Sequence, residues 1–297
     1  MKKQVIFTSQ GRRADVGEYK IFRILPNHYS HTVGPFVFLD YVPPVLHPEG
    51  EPKKFVNGSG AHPHRGIATL TYVLNGEADH FDSNGHHEKV YSGGAQWMKA
   101  GNGIIHDEAM NPDPHTSNRL THGFQFWVNL PAKNKAENPD YLPLQAADIP
   151  VRQLEGNTGW IKVVAGEYEG MTSKIPAYTR QLIYHVHLEA GDAFQLNGEE
   201  SLEYAAFLPT NEAIINDVPY TKGSLLLFDR AQGTIAIHNS SAETADIIIF
   251  GGATYTEPIF AQGPFVMNTQ QEIATAYADF YAGKYGKIQY EQTGAAK

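Results

Sequence analysis

Ala68-Thr69-Leu70-Thr71-Tyr72-Val73-Leu74-Asn75-Gly76 decides the fold class. Its first seven residues are rich in β-branched and aromatic side chains, and Asn-Gly then closes the run. Asn-Gly between strand-like runs is the strongest short-range hairpin signal, because both residues accept the positive φ a two-residue turn demands. Similar segments lie on both sides: Phe36–Leu39 before it, and Gly123–Leu130, Trp160–Ala165, Leu182–Leu188, Leu225–Phe228, Thr234–His238 and Ala245–Phe250 after it. Asn84-Gly85, Gly93-Gly94, Asn197-Gly198 and Lys222-Gly223 punctuate them. Many short strands at this spacing predict an all-β sandwich or barrel. One helix is expected. Thr269-Gln270-Gln271-Glu272 has capping-box spacing, Ile273, Tyr277, Phe280 and Tyr281 recur at helical spacing, and Gly283 or Gly286 ends the run.

Pro131-Ala132-Lys133-Asn134-Lys135-Ala136-Glu137-Asn138-Pro139 is polar and breaks the periodicity. The division predicted is a barrel over 1–131, a linker over 132–150, and a second barrel with a C-terminal helix over 151–297. Weak internal similarity supports two copies of one barrel. Gly93-Gly94-Ala95-Gln96-Trp97-Met98 leads to Gly103-Ile104-Ile105-His106, much as Lys222-Gly223-Ser224-Leu225-Leu226-Leu227 leads to Gly233-Thr234-Ile235-Ala236. The 297 residues hold two domains of ordinary size, and 41% hydrophobic content supplies a core for each.

Composition removes several function classes. The net charge of −9 gives no basic field for a phosphate backbone, so direct nucleic-acid binding is not expected. With no cysteine there is no disulfide, thiolate metal site or cysteine nucleophile. The Val5-Ile6-Phe7 run is too short for a signal-peptide core, and Ile247–Phe250 is strand length. A cytoplasmic, monomeric protein with no membrane association is the expectation.

Of 14 histidines, eight fall between 62 and 122: His62, His64, His80, His86, His87, His106, His115 and His122. The informative unit is His62-Pro63-His64 followed by His106-Asp107-Glu108. Residues two apart on a strand share a face, with Cα atoms roughly 6.5 Å apart. Two such pairs on facing strands offer three imidazoles and a carboxylate, donors that suit a first-row divalent metal and leave positions open for chemistry. His80, His86 and His87 flank the Asn84-Gly85 turn and are expected at a solvated hairpin tip. His115 and His122 lie beyond the site. Phe124, Phe126 and Trp127 are candidate walls of a mainly apolar pocket, with strand alternation turning only some of them inward. His185 and His187 form a strand-spaced pair expected to be structural or on the surface, and His238 stands alone.

These residues also carry a resemblance. Gly60-Ala61-His62-Pro63-His64-Arg65-Gly66 with Thr69–Gly76, Gln96–Glu108, Phe126-Trp127-Val128-Asn129-Leu130-Pro131, and Glu257-Pro258 with Gly263-Pro264-Phe265-Val266-Met267-Asn268 resemble the motifs of the pirin family of bicupins. The resemblance spans nearly the whole chain. It implies two stacked cupin barrels (double-stranded β-helices, or jelly rolls). It also implies one metal in the N-terminal barrel, on His62, His64, His106 and Glu108. Iron(II) is the expected ion, although the donor set also accepts Mn, Co, Ni, Cu or Zn. The segment matching the first motif in the second half, near Leu196-Asn197-Gly198, has no histidine pair, so the second barrel is expected to be metal-free. Ile67-Ala68 follow Arg65-Gly66 where family members commonly carry an aromatic and an acid, a departure that bears on substrate preference more than on the metal.

The resemblance implies quercetin 2,3-dioxygenase activity, in which a flavonol-like small molecule and O2 are the reactants and Glu108 is the candidate catalytic base. Its alternative implication is an iron-dependent, redox-sensing regulator that binds a protein partner without turnover.

Overall fold

Ile67–Asn75 is a strand, paired antiparallel to Leu120–Asn129 on one side and to Ala95–Lys99 on the other. Asp140–Leu144 extends this sheet beyond Ala95–Lys99. A second sheet runs in the order His62–His64, Ile104–Asn111, Glu77–Asp82, His87–Tyr91. The chain passes repeatedly from one sheet to the other, which is the winding of a double-stranded β-helix. This overturns part of the turn reading. Asn75-Gly76 closes no hairpin: the strands on its two sides belong to different sheets. Gly76 has φ +118°, and a Cβ there would lie 2.8 Å from the Asn111 carbonyl oxygen, so glycine is required at this corner for a reason other than a hairpin. Gly93-Gly94 and Lys222-Gly223 are likewise crossings between sheets, and Asn197-Gly198 ends the strand Ala193–Gly198 just before another. Asn84-Gly85 does close a hairpin, between Glu77–Asp82 and His87–Tyr91, with Asp82 Oδ1 accepting from the Asn84 backbone N–H at 2.9 Å.

The computed structural model describes residues 1–16 and 19–290; the last seven residues of the expected 151–297 domain lie outside the described residues. It contains two compact units whose segments interleave. One comprises Pro44–Ala146 with Glu257–Lys297, and the other Met1–Pro43 with Ala147–Thr256. The expected division at 131 and 150 therefore needs correction. Residues 132–146 are no linker, because Asp140–Leu144 is a full member of a sheet. The N-terminal strand Val5–Ser9 pairs with Leu225–Phe228 in the second unit, covering an edge that would otherwise expose unpaired backbone groups. The helix Gln270–Tyr281 forms with the predicted cap: Thr269 Oγ1 accepts from the Glu272 N–H at 3.2 Å. Its Ile273 and Ala276 pack on Phe265, Met267 and Tyr285. These residues belong to the unit that holds the histidine pairs, not to the barrel over 151–256, which corrects the helix's assignment.

The second unit repeats the pairing scheme strand for strand. Ala193–Gly198 pairs with Gly233–His238, which pairs with Ala213–Ile215. Leu202–Phe207 lies between Leu225–Phe228 and Ala245–Ala253. On this common register, His62, His64, His106 and Glu108 correspond to Leu196, Gly198, Ile235 and Ile237, and His80 to Ile215. Thr71, Gln96 and Gln125 correspond to Ala206, Leu226 and Ile249. Apart from Gly198, all of these second-unit residues are buried in one apolar core. At Gly198 a Cβ would lie 2.7 Å from Cδ of the buried Lys3, whose aliphatic stem takes that room. The same backbone thus carries a polar interior in one unit and a hydrocarbon interior in the other.

Candidate metal centre

Strand register assembles the site. His62 lies opposite His106, and His64 opposite Ile104. On its other edge the same strand sets Glu108 opposite His80. Alternation places His62 and His64 on one face of their strand, and His106 and Glu108 on one face of theirs. Two overlapping triads result, His62–His64–His106 and His80–His106–Glu108, each with ligand atoms within 4.8 Å of one another. Of the four residues singled out from the sequence, His62, His64 and His106 converge in one triad, while Glu108 joins His106 in the other, together with His80.

The imidazoles are oriented as ligands. His62 Nδ1 donates to the Gly60 carbonyl at 2.7 Å, and His64 Nδ1 to the Pro264 carbonyl at 3.1 Å. Each such bond puts the ring proton on Nδ1 and leaves the Nε2 lone pair for a metal. The Nε2 atoms of His62 and His106 are 3.0 Å apart. That is the separation of two cis ligands on metal bonds of about 2.1 Å. His106 Nδ1 is buried without a hydrogen-bond partner and lies 3.5 Å from Glu108 Oε1. Burial, followed by the neighbouring imidazoles His106 and His62, holds the His64 pKa well below its ordinary value. Burial lowers that of His106 to about 4 against the pull of Glu108. Both are therefore neutral at pH 7, the form a metal requires. The donor set fits a divalent transition ion.

Glu108 Oε1 accepts from Gln96 Nε2 at 2.5 Å and from His80 Nδ1 at 3.2 Å. Burial alone would raise its pKa, but the neighbouring His106 imidazole and the hydrogen bond from His80 outweigh burial and hold the carboxyl well below the usual range. His80 is the main residue the sequence misplaced. It is fully buried, not at a hairpin tip, and its ring stacks on Tyr141 with centroids 4.2 Å apart. Its Nε2 lies 3.2 Å from Asp82 Oδ2, whose partner on the far side is His86 Nδ1 at 2.8 Å. Burial opposes protonation of His80, yet the hydrogen bonds and charges of Asp82 and Glu108 overcome it and raise the pKa. His86 and His87 do keep partial exposure, His87 stacking on Phe81 at 3.6 Å. Asn84-Gly85 places the end of the His80 strand and alternation puts His80 and Asp82 on one face, but only the strand register sets His80 opposite Glu108.

The pocket wall also differs from expectation. Trp127 meets His64 edge-on, with ring centroids 4.9 Å apart. Phe124 and Phe126 project from the opposite face of their strand, by alternation. On the site-facing side, Gln125 Oε1 accepts from Thr71 Oγ1 at 2.6 Å, Thr71 Oγ1 accepts from Gln96 Nε2 at 3.3 Å, and Tyr141 donates to Gln96 Oε1 at 2.8 Å. The interior beside the imidazoles is thus a hydrogen-bonded polar lining and not a mainly apolar one. His122 is buried and His115 exposed, and neither joins a triad.

Among the described residues, both clusters that could hold a metal ion lie in the one unit. In the second unit, His185 Nε2 and His187 Nδ1 converge on Asp246 Oδ1 at 2.9 and 2.6 Å, with Trp160 stacked on His187. His238 is exposed, one residue past the counterpart of Glu108. That unit also has a cavity of about 880 Å³ bordered by Tyr168, Arg180, Gln195 and Glu199. No imidazole lines it, so its volume does not outweigh the histidine cluster as the candidate site for metal chemistry.

The pirin family matches residues 18–128, and the pirin C-terminal cupin domain matches residues 183–286. Pirin-like protein 2 of Arabidopsis thaliana is 34% identical over 85% of this chain and 75% of its own length. A Pseudomonas aeruginosa protein provisionally named quercetin 2,3-dioxygenase is 30% identical over 87% of this chain and 89% of its own. The crystal structure of quercetin 2,3-dioxygenase from Acinetobacter baumannii superposes with a TM-score of 0.87 at 28% identity, covering 97% of this chain and all of that one. A bacterial pirin from Escherichia coli, solved in complex with nickel(II), has the same fold, with a TM-score of 0.60 at 20% identity over 82% of this chain and 96% of its own. With two cupin barrels and both of the family's domains matched, the chain belongs to the pirin family.

Proposed function

We propose that this protein is a metal-dependent dioxygenase that opens the ring of a flavonol-like substrate with O2, using one iron(II) ion on His62, His64, His106 and Glu108. The observation that carries the proposal is the convergence of imidazole Nε2 atoms 3.0 Å apart, with the Nδ1 atoms of His62 and His64 committed to carbonyls, beside an ionised carboxylate. When bound, the ion supplies a Lewis acid that lowers the pKa of a coordinating hydroxyl. The chain supplies the rest. Glu108 is the acceptor for the hydroxyl proton, held in place by Gln96 and His80. Trp127 stands edge-on beside His64 on the site-facing side of its strand, where it would border a bound substrate. The names of the Pseudomonas and Acinetobacter relatives support this substrate class.

The test is oxygen uptake by protein reconstituted with iron(II), across a set of flavonols. Uptake is expected with the loaded protein and absent after chelation and desalting. Metal-replete protein that consumes no oxygen with any flavonol would remove the enzyme proposal and leave the regulator as the better account.

A further inference from the structure

His62 is the exposed member of its triad, whereas His64 and His106 are buried. Packing therefore fixes the buried rings, while the Nδ1 side of His62, beyond its ring contacts with His64 and His106, is oriented by a hydrogen bond to the Gly60 carbonyl. Gly60 sits in the irregular segment 57–61, so something must hold that segment. The structure shows what does. Asp107 Oδ2 accepts from the Gly58 backbone N–H at 2.8 Å and from the Tyr290 hydroxyl at 3.0 Å. Segment and carboxylate are closely apposed: a Cβ on Gly60 would lie 2.6 Å from Asp107 Oδ1. Asp107 is buried and stands between His106 and Glu108 in sequence, projecting from the opposite face of their strand.

Tyr290 belongs to the stretch that follows the helix. That stretch is tied down in the same unit. Ser83 Oγ donates to the Tyr285 carbonyl at 2.5 Å and accepts from the Ile105 N–H at 3.1 Å, and Arg65 Nη1 donates to Asp279 at 2.7 Å. Further upstream, Pro264 gives His64 its carbonyl. The C-terminal segment thus reaches the orienting partners of both histidines of the first pair.

We infer that Tyr290 and Asp107 are positioning residues for His62: together they clamp the 57–61 segment and thereby set metal affinity from the C-terminal end of the chain. The inference rests on the proposed ligand set. Partners that orient a metal-bound histidine typically contribute 10–100-fold in affinity.

The experiment uses the full chain with cobalt(II) as probe, its affinity measured by chelator competition, alongside melting of the metal-free protein. Tyr290→Phe and Asp107→Ala are expected to weaken binding by about 10–100-fold. Asp107→Asn keeps an acceptor oxygen for Gly58 and Tyr290 and is expected to stay near wild type. Melting of metal-free Tyr290→Phe should be unchanged, and in metal-free protein the ¹⁵N shifts of His62 should show loss of the Nδ1–H tautomer. Tyr290→Phe keeps the test valid even where Asp107→Ala does not fold. Wild-type affinity and an unmoved His62 tautomer in Tyr290→Phe would overturn the inference, as would a lowered melting temperature with affinity intact. His106→Ala separates the two levels. If it abolishes cobalt binding while Tyr290→Phe binds normally, only the clamp fails; if it leaves binding intact, the ligand set and the clamp fall together.

Discussion

Glu108→Gln is expected to cut flavonol-dependent oxygen uptake by about 10²-fold or more while metal occupancy falls far less. Glutamine keeps the shape of the side chain and one carbonyl oxygen that can coordinate, but it cannot take up a proton. The surroundings of Glu108 favour the charged form. Gln96 and His80 both donate to Oε1, and His106 and His80 hold the carboxyl well below the usual range despite burial. The carboxylate that balances the positive charge of the site is thus also its candidate base. Oxygen-electrode rates normalised to metal content separate the roles. A rate that merely tracks occupancy makes Glu108 a ligand alone. A rate that collapses in metal-replete Glu108→Gln makes it the base. His80 carries a second consequence. Its ring is sandwiched against Tyr141 and bonded to Asp82, so it holds Glu108 in a fixed position while Asp82 passes the contact on to the partly exposed His86.

The parts of this site that were legible in the sequence are those whose geometry is local. His62-Pro63-His64 and His106-Asp107-Glu108 each share a strand face by period two, and no tertiary information is needed to see it. His80 was not legible from its neighbours alone, because a histidine four residues before Asn84-Gly85 suits a hairpin tip as well as a strand interior. Register decided it, by setting His80 opposite Glu108. Gln96 and Tyr141 are uncharged, and Tyr141 lies in a stretch whose polar flanks suggest a linker, so nothing in composition marks them. Asn84-Gly85 closes the hairpin its sequence suggests, but Asn75-Gly76, Gly93-Gly94 and Lys222-Gly223 mark crossings between sheets, which their sequences do not reveal. A glycine records the backbone conformation it must adopt, not which sheet receives the next strand. The interleaving of the units was least legible, since pairing Val5–Ser9 with Leu225–Phe228 joins residues more than two hundred apart. The lack of a histidine pair at the matching position of the second barrel was legible in the sequence. The structure adds its positive counterpart, a continuous packing of Leu196, Ile215, Leu226, Ile235, Ile237 and Ile249 in place of the polar cluster.

Lys135→Met is expected to destabilise the protein by about 3–5 kcal/mol, measured by urea unfolding of the metal-free form. Lys135 falls within the segment read as a linker, yet it is buried, with 3% of its surface exposed. Its Nζ donates to Asn129 Oδ1 at 2.6 Å, to the Val266 carbonyl at 2.6 Å and to the Gly66 carbonyl at 2.9 Å. Burial drives its pKa down to about 7, against the attraction of Glu272 and Glu257. Three acceptors around one nitrogen nevertheless match the three N–H bonds of the ammonium form. Methionine fills similar space without a donor, so two carbonyls and an amide oxygen lose their partner inside the fold, each at a cost of about 1–3 kcal/mol before the relief of no longer burying a charge. A loss below about 1 kcal/mol would mean that water replaces the amine and that the three segments do not depend on it. Those segments are the turn directly after His64, the end of the strand carrying Trp127, and the hairpin whose Pro264 carbonyl orients His64. One buried lysine thus joins three pieces of chain that frame the histidine pair. A weakened affinity for cobalt(II) in folded Lys135→Met would show that the metal centre depends on that junction as well as on its own ligands.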